Sequence, residues 1–327
     1  MLALFYDIDW VERYGKHAMT QSNLMPAACM VDGQTLRQQL QLATQYLMQQ
    51  QVDEARDNAE LLMLHLLQMS RAQLLMQWQE LFPSQLLNSW GQMLYRKGQG
   101  EPVQYIIGEA WFYGRPFQVS PAVLIPRPET ELLVEAVLTH AQRHWQDEAL
   151  HVLDVGTGSG AIAITLQLEQ PKWQVIASDL SEKALQQAHS NAEFHHVTSS
   201  IQWVQGDLLK PFNQEAGRLT YNGQRIDVLV SNPPYIPIGD LTGLQREVKQ
   251  YEPHLALFGG EDGLNLYRAM VDCLRDLEEH PRIVAFELGI HQPEIVAQWL
   301  RDIGAWNEVE IITDYNGIQR HVIAIKR

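Results

Sequence analysis

The sequence predicts an α/β protein whose main part is a doubly wound, Rossmann-like sheet, preceded by a small N-terminal helical bundle and a linking β-hairpin. Three observations predict it. Residues 34 to 100 show helical periodicity, residues 108 to 125 are rich in aromatic and β-branched residues interrupted by glycine and proline, and after Pro128 apolar strands alternate with helical segments. That alternation is typical of a parallel sheet covered by helices on both faces.

The composition is that of an ordinary globular protein. The chain has 327 residues, of which 46% are hydrophobic and 19% charged, and its net charge is -15. An acidic chain lacks the clustered lysine and arginine of a nucleic-acid-binding face, so we expect no direct nucleic-acid partner. Cys29 and Cys273 form no metal-binding pair, and no apolar run approaches the ~20 residues of a membrane span. We expect a cytoplasmic protein with no membrane partner and no bound metal.

The helical bundle is predicted from its apolar spacing and its caps. Apolar residues from Leu36 to Leu47 share one helix face, and "VDEARDNAELLMLHLLQM" then begins with acids and continues as an apolar stripe. Ser70 and Ser84 are the expected N-caps of two further helices. The bundle is either a structural cap or a module that docks a partner. Residues 1–33, which precede it, are an extension of unknown role.

A glycine-rich turn follows the first strand of the predicted sheet. In "LDVGTGSGAIAI", Gly156, Gly158 and Gly160 lead from a strand into a helix, where glycine lets the backbone approach a ligand and the helix start offers free N–H groups. Asp179 ends the next strand, where an acid binds ribose hydroxyls. Together they predict a nucleoside site. The glycine string by itself also fits a dinucleotide-binding fingerprint or a tight structural turn.

A third acid, Asp207 in "VQGDLL", ends the following strand beside the same crevice. Either Asp207 or the backbone of Leu208 is a candidate for contact with the adenine. The alternative for Asp207 is a solvated turn residue.

The most unusual stretch is "VLVSNPPYIP", in which an apolar strand stops at Asn232 and two prolines. The bland interpretation is a rigid loop. Proline lacks the backbone donor, so Pro233 and Pro234 leave carbonyl oxygens as pure acceptors. One such carbonyl, that of Pro233, and the side-chain oxygen of Asn232 offer two acceptors for the two hydrogens of one planar NH₂ group, and Tyr235 can stack on that group. The segment predicts a site for an amide or an aromatic amine.

Four motifs together resemble the protein-glutamine methyltransferases of the HemK/PrmC type, which methylate peptide chain release factors: "LDVGTGSG", "SNPPYI", "LIPRPETE" (124 to 131) and "YEPHLALFGGEDGLNLYR" (251 to 268). The resemblance runs from about residue 34 to the C-terminus. It implies a class I (Rossmann-like) methyltransferase sheet, S-adenosylmethionine as cofactor and a release factor as partner. Leu208 departs from it, because some members carry an aromatic residue there.

The resemblance also implies roles for individual residues and for parts of the chain. Residues 34–105 are expected to be a helical substrate-docking domain, 106–130 a β-hairpin linker and 131–327 the methyltransferase domain of a monomeric enzyme. The expected catalytic residues are Asn232, Pro233 and Tyr235, and substrate is bound by these and Pro234. The expected cofactor-binding residues are Gly156, Thr157, Gly158, Ser159, Gly160, Asp179, Asp207, Leu208 and Asn232.

Other functions stay open at the level of the sequence. A sister branch methylates a ribosomal protein glutamine and shares the Asn-Pro-Pro-Tyr segment and an "AWF" hairpin, although the intact "IPRPETE" favours the release-factor branch. An adenine-specific DNA methyltransferase shares the same segment but needs a basic channel. An NAD-dependent dehydrogenase explains the glycines and leaves Asn232 to Tyr235 without a role. A non-catalytic binding protein is disfavoured because every motif position is filled.

Three further side chains are weaker candidates. His140 and His144 have i, i+4 spacing on a predicted helix, and without a nearby third ligand a surface pair is the better interpretation than a metal site. Glu287 ends the strand "RIVAFE", where a role in supporting the fold is expected rather than catalysis.

Overall fold

The computed structural model describes residues 31–215 and 217–327, and the chain divides into two compact units, Met1–Gln99 and Gly100–Arg327. Cys29 and the extension before residue 31 lie outside the described residues. Among those that are described, no helix is long and apolar enough to cross a bilayer.

The first unit is helical, as predicted. Its helices are α1 (Leu36–Gln49), α2 (Ala55–Leu67), α3 (Arg71–Met76) and α4 (Leu87–Gly98), with a 3₁₀ turn at Ser84–Leu86. The apolar face of α1 is buried, and Phe82 packs on Trp90 with ring centroids 5.9 Å apart. Burial of these faces is the main source of stability for helices as short as these.

The N-caps of the first unit are confirmed in one case and wrong in the other. The Ser70 hydroxyl oxygen accepts a hydrogen bond from the backbone N–H of Gln73, and the backbone N–H of Ser70 donates to Gln73 Oε1, which is a capping box. Ser84 caps no helix: it begins the 3₁₀ turn, and its hydroxyl donates to Asp32 at 2.7 Å. The hydroxyl therefore bonds a residue far away in the sequence instead of the helix start.

The second unit begins with a short helix, α5 (Val103–Ile107), and the predicted hairpin of β1 (Glu109–Phe112) and β2 (Arg115–Gln118). The sheet strands that follow are β3 (His151–Val155), β4 (Gln174–Asp179), β5 (Ile201–Gln205), β9 (Val228–Ser231), β10 (Ile283–Glu287), β11 (Glu308–Thr313) and β12 (Gln319–Ile325). The helices are α6 (Pro128–Trp145), α7 (Ala161–Glu169), α8 (Glu182–Phe194), α9 (Arg246–Tyr251), α10 (Asn265–Arg275) and α11 (Pro293–Ile303).

These seven strands form one sheet in the order β11-β12-β10-β9-β3-β4-β5. The five from β10 to β5 are parallel, and β12 and β11 complete one side in antiparallel fashion. Alternate strand residues face two separate apolar cores, one formed with α6 and α7 and the other with α10 and α11. Helices on both faces confirm the predicted doubly wound α/β class, including its antiparallel edge.

A small sheet of three strands, β6 (Asn213–Glu215), β7 (Arg218–Tyr221) and β8 (Gln224–Arg225), was not predicted. Its turn carries the signal that could have revealed it. Asn222 and Gly223 have φ values of 50° and 75°, as a two-residue hairpin turn requires, and the Asn-Gly pair is the usual sequence for that turn.

Candidate active site

The candidate site lies at the carboxyl edge of the parallel strands. The pairing register brings the ends of four neighbouring strands, β10, β9, β3 and β4, to the same level. The residues that stand at this level on those strands are, in the same order, Glu287, Asn232, Gly156 and Asp179. Adjacent strands are about 4.8 Å apart, so the predicted cofactor and substrate residues are neighbours although the sequence separates them widely.

The glycine loop turns sharply out of β3. The backbone N–H groups of Gly156 and Thr157 both donate to the carbonyl of Ser178 on β4, at 2.8 and 2.9 Å. Gly156, Gly158 and Gly160 all have positive φ. A Cβ added at Gly156 or Gly158 would meet nothing within 4 Å, so the backbone of the first two glycines borders open space. A ligand can therefore approach it closely.

Thr157 and Ser159 of the loop are buried, and Thr157 binds the carboxylate beneath it. The Thr157 hydroxyl donates to Asp154 Oδ2 at 2.7 Å, and the backbone of Ala163 donates to the same oxygen at 3.2 Å. Burial raises the pKa of Asp154 to about 7, and its Oδ1 has no hydrogen-bond partner in the described part of the chain. Asp154 therefore anchors the loop and the start of the following helix through Thr157 and Ala163.

Asp179 closes the other side of the loop. Its Oδ2 accepts the N–H of Gly158 at 2.9 Å, and its Oδ1 accepts the N–H of Ser181 at 2.8 Å. Burial raises its pKa above the usual range, against the opposing effect of hydrogen bonds from the backbone of Ser181, Gly158 and Leu180. A carboxylate has about four lone-pair sites, so these bonds leave a site that a ribose hydroxyl can use.

The structure places Asp207 and Leu208 just past β5, beside the strand of Asp179. Asp207 is half-buried and its carboxylate pairs with Lys210 at 2.5 Å. Leu208 has a φ of 49° and packs against the core formed with α10 and α11. The Asp207 carboxylate is thus paired with a lysine, whereas the Asp179 carboxylate accepts a hydrogen bond from the glycine loop.

Asn232 is held by a hydroxyl from another part of the chain. Its side-chain nitrogen donates to Thr130 Oγ1 at 3.1 Å, and that hydroxyl donates to Glu287 Oε2 at 2.6 Å. The other end of the amide, Asn232 Oδ1, is buried and accepts no hydrogen bond from any described residue. A buried acceptor without a partner costs about 1–3 kcal/mol, so this oxygen is suited to a donor from a ligand.

Pro234 and Tyr235 are packed against the "FGGEDG" segment. A Cβ at Gly259 would lie 2.4 Å from the carbonyl oxygen of Pro234, and one at Gly263 would lie 2.0 Å from that of Tyr235. Gln292 donates to the same Tyr235 carbonyl at 2.9 Å. Two glycines and one amide therefore fix the segment's backbone, and buried Pro233 stiffens it at the strand end.

Only part of the Tyr235 side chain is available to contact a ligand. It packs against the core formed with α10 and α11, and Gly289 lies close to one edge of the ring. Burial, and to a smaller extent the neighbouring Glu287, raises the pKa of Tyr235, which keeps the phenol neutral.

Sequence reasoning misses three residues of the site. Thr130 lies within "LIPRPETE", but nothing in that motif distinguishes it as a site residue. Glu287 is predicted only to support the fold, and no sequence pattern points to Gln292. Thr130 lies in the first turn of α6 and Glu287 ends β10. The position of Glu287 at a strand end is the available signal, since carboxyl ends of parallel strands carry the site in open α/β sheets.

The interpretation of His140 as a surface residue is wrong. His140 is buried on the inner face of α6, and its Nε2 lies 3.5 Å from Glu310 on β11. The rings of His140 and His144 stack at 6.3 Å. Over residues 31–215 and 217–327, no group of three or more His, Cys, Asp or Glu side chains could hold a metal ion.

Comparisons with known proteins cover most of the chain. Residues 38–108 match the PrmC N-terminal domain family and residues 128–242 the Methyltransferase small domain family. A Bacillus cereus protein named release factor glutamine methyltransferase is 41% identical over 285 residues, covering 87% of this chain and 97% of the relative. A Bacillus subtilis protein of the same name is 38% identical over 292 residues, covering 89% and 98%.

Solved structures show the same fold. A crystal structure of the hMettl16 catalytic domain in complex with MAT2A 3'UTR hairpin 6 aligns with a TM-score of 0.50 at 14% identity. The alignment covers 64% of this chain and 75% of that one. At this identity the likeness concerns the fold alone, and together with the family matches it confirms the predicted methyltransferase sheet.

Proposed function

The chain belongs to the release factor glutamine methyltransferase family, and on that premise we propose that it methylates the glutamine of the Gly-Gly-Gln motif in a peptide chain release factor. The acceptor is the side-chain amide nitrogen, and the methyl donor is S-adenosylmethionine. One observation carries the proposal: buried Asn232 Oδ1 has no partner among the described residues and stands one strand away from the open glycine loop. This oxygen would accept an N–H of the NH₂ group of an amide.

The residues present fit the proposed cofactor. The open space at Gly156 and Gly158 would accommodate it against the backbone, and Asp179 would accept hydrogen bonds from its ribose hydroxyls. Gly160, Thr157 and Ser159 would keep the loop in shape. S-adenosylmethionine supplies an electrophilic methyl group on a sulfonium. Asp207 is proposed only as a neighbour of the adenine, since its carboxylate already pairs with Lys210.

The chain's own task is to orient a poor nucleophile. An amide nitrogen has its lone pair delocalised into the carbonyl, so it reacts only when it is held in line and stabilised as charge develops. Asn232 Oδ1 and the Pro233 carbonyl would each accept one N–H of the substrate amide. Pro234 and Tyr235 would pack against the flat face of the substrate amide. The nitrogen would form its bond to the methyl carbon as the carbon–sulfur bond breaks and S-adenosylhomocysteine leaves. The nitrogen would then lose one proton, and no strong base is needed because the methylated, positively charged amide nitrogen is acidic enough to give that proton to water.

The helical unit is proposed to dock the release factor away from its glutamine, which would raise the effective concentration of the loop at the site. The enzyme is proposed to act as a cytoplasmic monomer, with no direct contact to nucleic acid. The net charge of -15 favours a protein substrate over DNA.

A labelled methyl group decides the substrate. Purified enzyme with labelled S-adenosylmethionine is offered a release factor, the ribosomal protein of the sister branch, and DNA. We expect label in the release factor, and none when its Gly-Gly-Gln glutamine is replaced. Preferential labelling of the ribosomal protein would move the chain to the sister branch, and labelled DNA would overturn the substrate class.

Calorimetric titration separates the cofactor classes independently. S-adenosylhomocysteine is expected to bind and NAD is not. Tight binding of NAD without binding of S-adenosylhomocysteine would exclude a methyltransferase and favour a dehydrogenase.

A further inference from the structure

Thr130 and Glu287 form a two-step hydrogen-bond relay that ends at Asn232, and we propose that this relay decides which end of the Asn232 amide meets the substrate. Thr130 is then a positioning residue for methyl transfer, and Glu287 supports it. The inference rests on the proposed function and deepens it, because it gives a structural reason why the site accepts a donor such as NH₂.

Two of the three residues of the relay are buried, and the third, Asn232, is half-buried with a buried Oδ1. Thr130 and Glu287 have exposed fractions of 4% and 2%. The Thr130 hydroxyl lies 2.6 Å from Glu287 Oε2 and 3.1 Å from Asn232 Nδ2. Side chains this deep in the protein do not exchange their hydrogen bonds with water, so the partners that the fold supplies determine their orientation.

The direction of the hydrogen bonds follows from counting protons. A hydroxyl has one proton to donate and two lone pairs that accept. Thr130 donates its one proton to Glu287 Oε2 and can therefore only accept from Asn232. Asn232 must turn its nitrogen towards Thr130, which leaves Oδ1 as the free end. Reversing the relay would present an NH₂ group to the substrate and repel an amide nitrogen.

The surroundings of Glu287 hold the relay in place. Its backbone carbonyl accepts the Tyr267 hydroxyl, and its side chain lies 3.7 Å from the fully buried His321 on β12. Both strands that flank β10 thus take part: β9 leads into Asn232 and β12 carries His321.

The decisive variant is Thr130→Val, which keeps the shape of the side chain and removes the hydroxyl. Thr130→Ser keeps the hydroxyl and is the rescue variant. Thr165→Val is the matched control, because Thr165 is also fully buried and its hydroxyl has no hydrogen-bond partner in the described part of the chain. Glu287→Gln is less informative, since its amide oxygen can still accept from Thr130.

The full-length variants are compared for methylation of release factor, for S-adenosylhomocysteine affinity and for melting temperature. Thr130→Val should lower kcat roughly 10- to 100-fold, the scale on which misplacement of a reacting group acts. The affinity for S-adenosylhomocysteine should change by less than about threefold. Thr130→Ser should recover most of the rate, and Thr165→Val should match the unmodified enzyme. A Thr130→Val enzyme with unchanged kcat would overturn the inference.

A double-mutant cycle and an NMR measurement complete the test. In an Asn232→Ala background Thr130→Val should have no further effect on kcat, whereas additive losses would contradict a role through Asn232.

The side-chain NH₂ signal of Asn232, assigned by its loss in Asn232→Ala, should shift and exchange faster with solvent in Thr130→Val. An unchanged signal would overturn the relay. If the unmodified enzyme methylates no release factor, the proposed function fails and this signal still decides the relay.

Discussion

Asn232 has an amide whose two ends lie in different surroundings, one bonded to Thr130 and the other without a partner among the residues described. An Asn232→Ala substitution removes the oriented oxygen. Turnover should fall by roughly 10²-fold or more, the usual loss when one preorganised polar group is removed from a transition state. Steady-state methylation of release factor gives kcat, and calorimetry with S-adenosylhomocysteine should show a smaller loss of affinity. A variant that turns over normally would remove Asn232 from the mechanism.

Asp154 gives the molecule a predictable dependence on pH. Burial raises the pKa of this carboxyl from 3.8 to about 7, so the folded state holds a proton that the unfolded state has already lost between these values. The free energy of unfolding should therefore fall as pH rises through that interval, by about 1.4 kcal/mol for each pH unit between the two pKa values, and level off above it.

The matched variant is Asp154→Asn, whose amide oxygen can still accept from Thr157 and Ala163 but does not titrate. Urea unfolding between pH 4 and pH 8 should show the unmodified protein losing stability relative to the variant as pH rises. Asp179, whose pKa burial also raises, is present in both proteins and cancels in the difference. Parallel pH profiles for the two proteins would show that Asp154 does not titrate as described.

Among elements, the turn from β3 into α7 depends most on glycine at its last position. Gly160 has a φ of 82°, and a Cβ there would lie 2.8 Å from Ile164 Cδ1 and 3.1 Å from Ala188 Cβ on α8. Gly223, in the hairpin of β7 and β8, has a φ of 75° and nothing within 4 Å. The two glycines share backbone strain and differ in packing.

Gly160→Ala should accordingly destabilise the protein more than Gly223→Ala. The positive φ costs an L-residue about 1–2 kcal/mol in both variants, and overpacking adds about 1–3 kcal/mol at Gly160 alone. Chemical unfolding of both variants measures the difference. Equal losses would mean that the Ile164 side chain and α8 both move aside without cost.

Elements were predictable wherever the signal was local. The alternation of apolar strands and helices gave the parallel sheet, and glycines next to a strand end gave the loop beside Asp179. The cap at Ser70 was predictable because capping involves residues three positions apart. Ser84 was assigned wrongly because its hydroxyl bonds Asp32, 52 positions away, a contact that no local pattern encodes.

At the scale of the whole molecule, the contacts of Thr130 and Glu287 could not be predicted for the same reason, since they join residues that are far apart in the sequence. Thr130 contacts Asn232 across 102 positions and Glu287 across 157 positions. Periodicity reports only which face of an element is buried. The meeting of α6, β9 and β10 depends on strand order and helix packing, so the relay became visible only with the folded chain.

The division of the chain into two units gives a prediction about substrate recognition. A fragment of residues 100–327 retains the sheet and both of its cores, and it keeps Tyr105, whose hydroxyl donates to the carbonyl of Val123 at 2.6 Å. A cut at residue 105 would sever that contact. The fragment should bind S-adenosylhomocysteine like the full chain, because the glycine loop and Asp179 are intact.

Methylation by this fragment should distinguish substrates by size. With whole release factor, kcat/KM should fall by roughly 10²-fold or more when docking is lost, whereas a short peptide containing Gly-Gly-Gln should be affected much less. Circular dichroism and cofactor titration establish that the fragment is folded. Equal losses for the factor and the peptide would show that residues 1–99 do not serve docking.

The free oxygen of Asn232 also bears on what happens after the reaction. A glutamine amide brings two N–H groups to the site, and its methylated product brings only one. Under the proposed function, either Asn232 Oδ1 or the Pro233 carbonyl then faces the product without a donor, a penalty of about 1–3 kcal/mol for a buried acceptor. The product should bind roughly 10- to 100-fold more weakly than the substrate. Departure of the product and a stop after one methyl group would both follow from an acceptor pair matched to an unmodified amide.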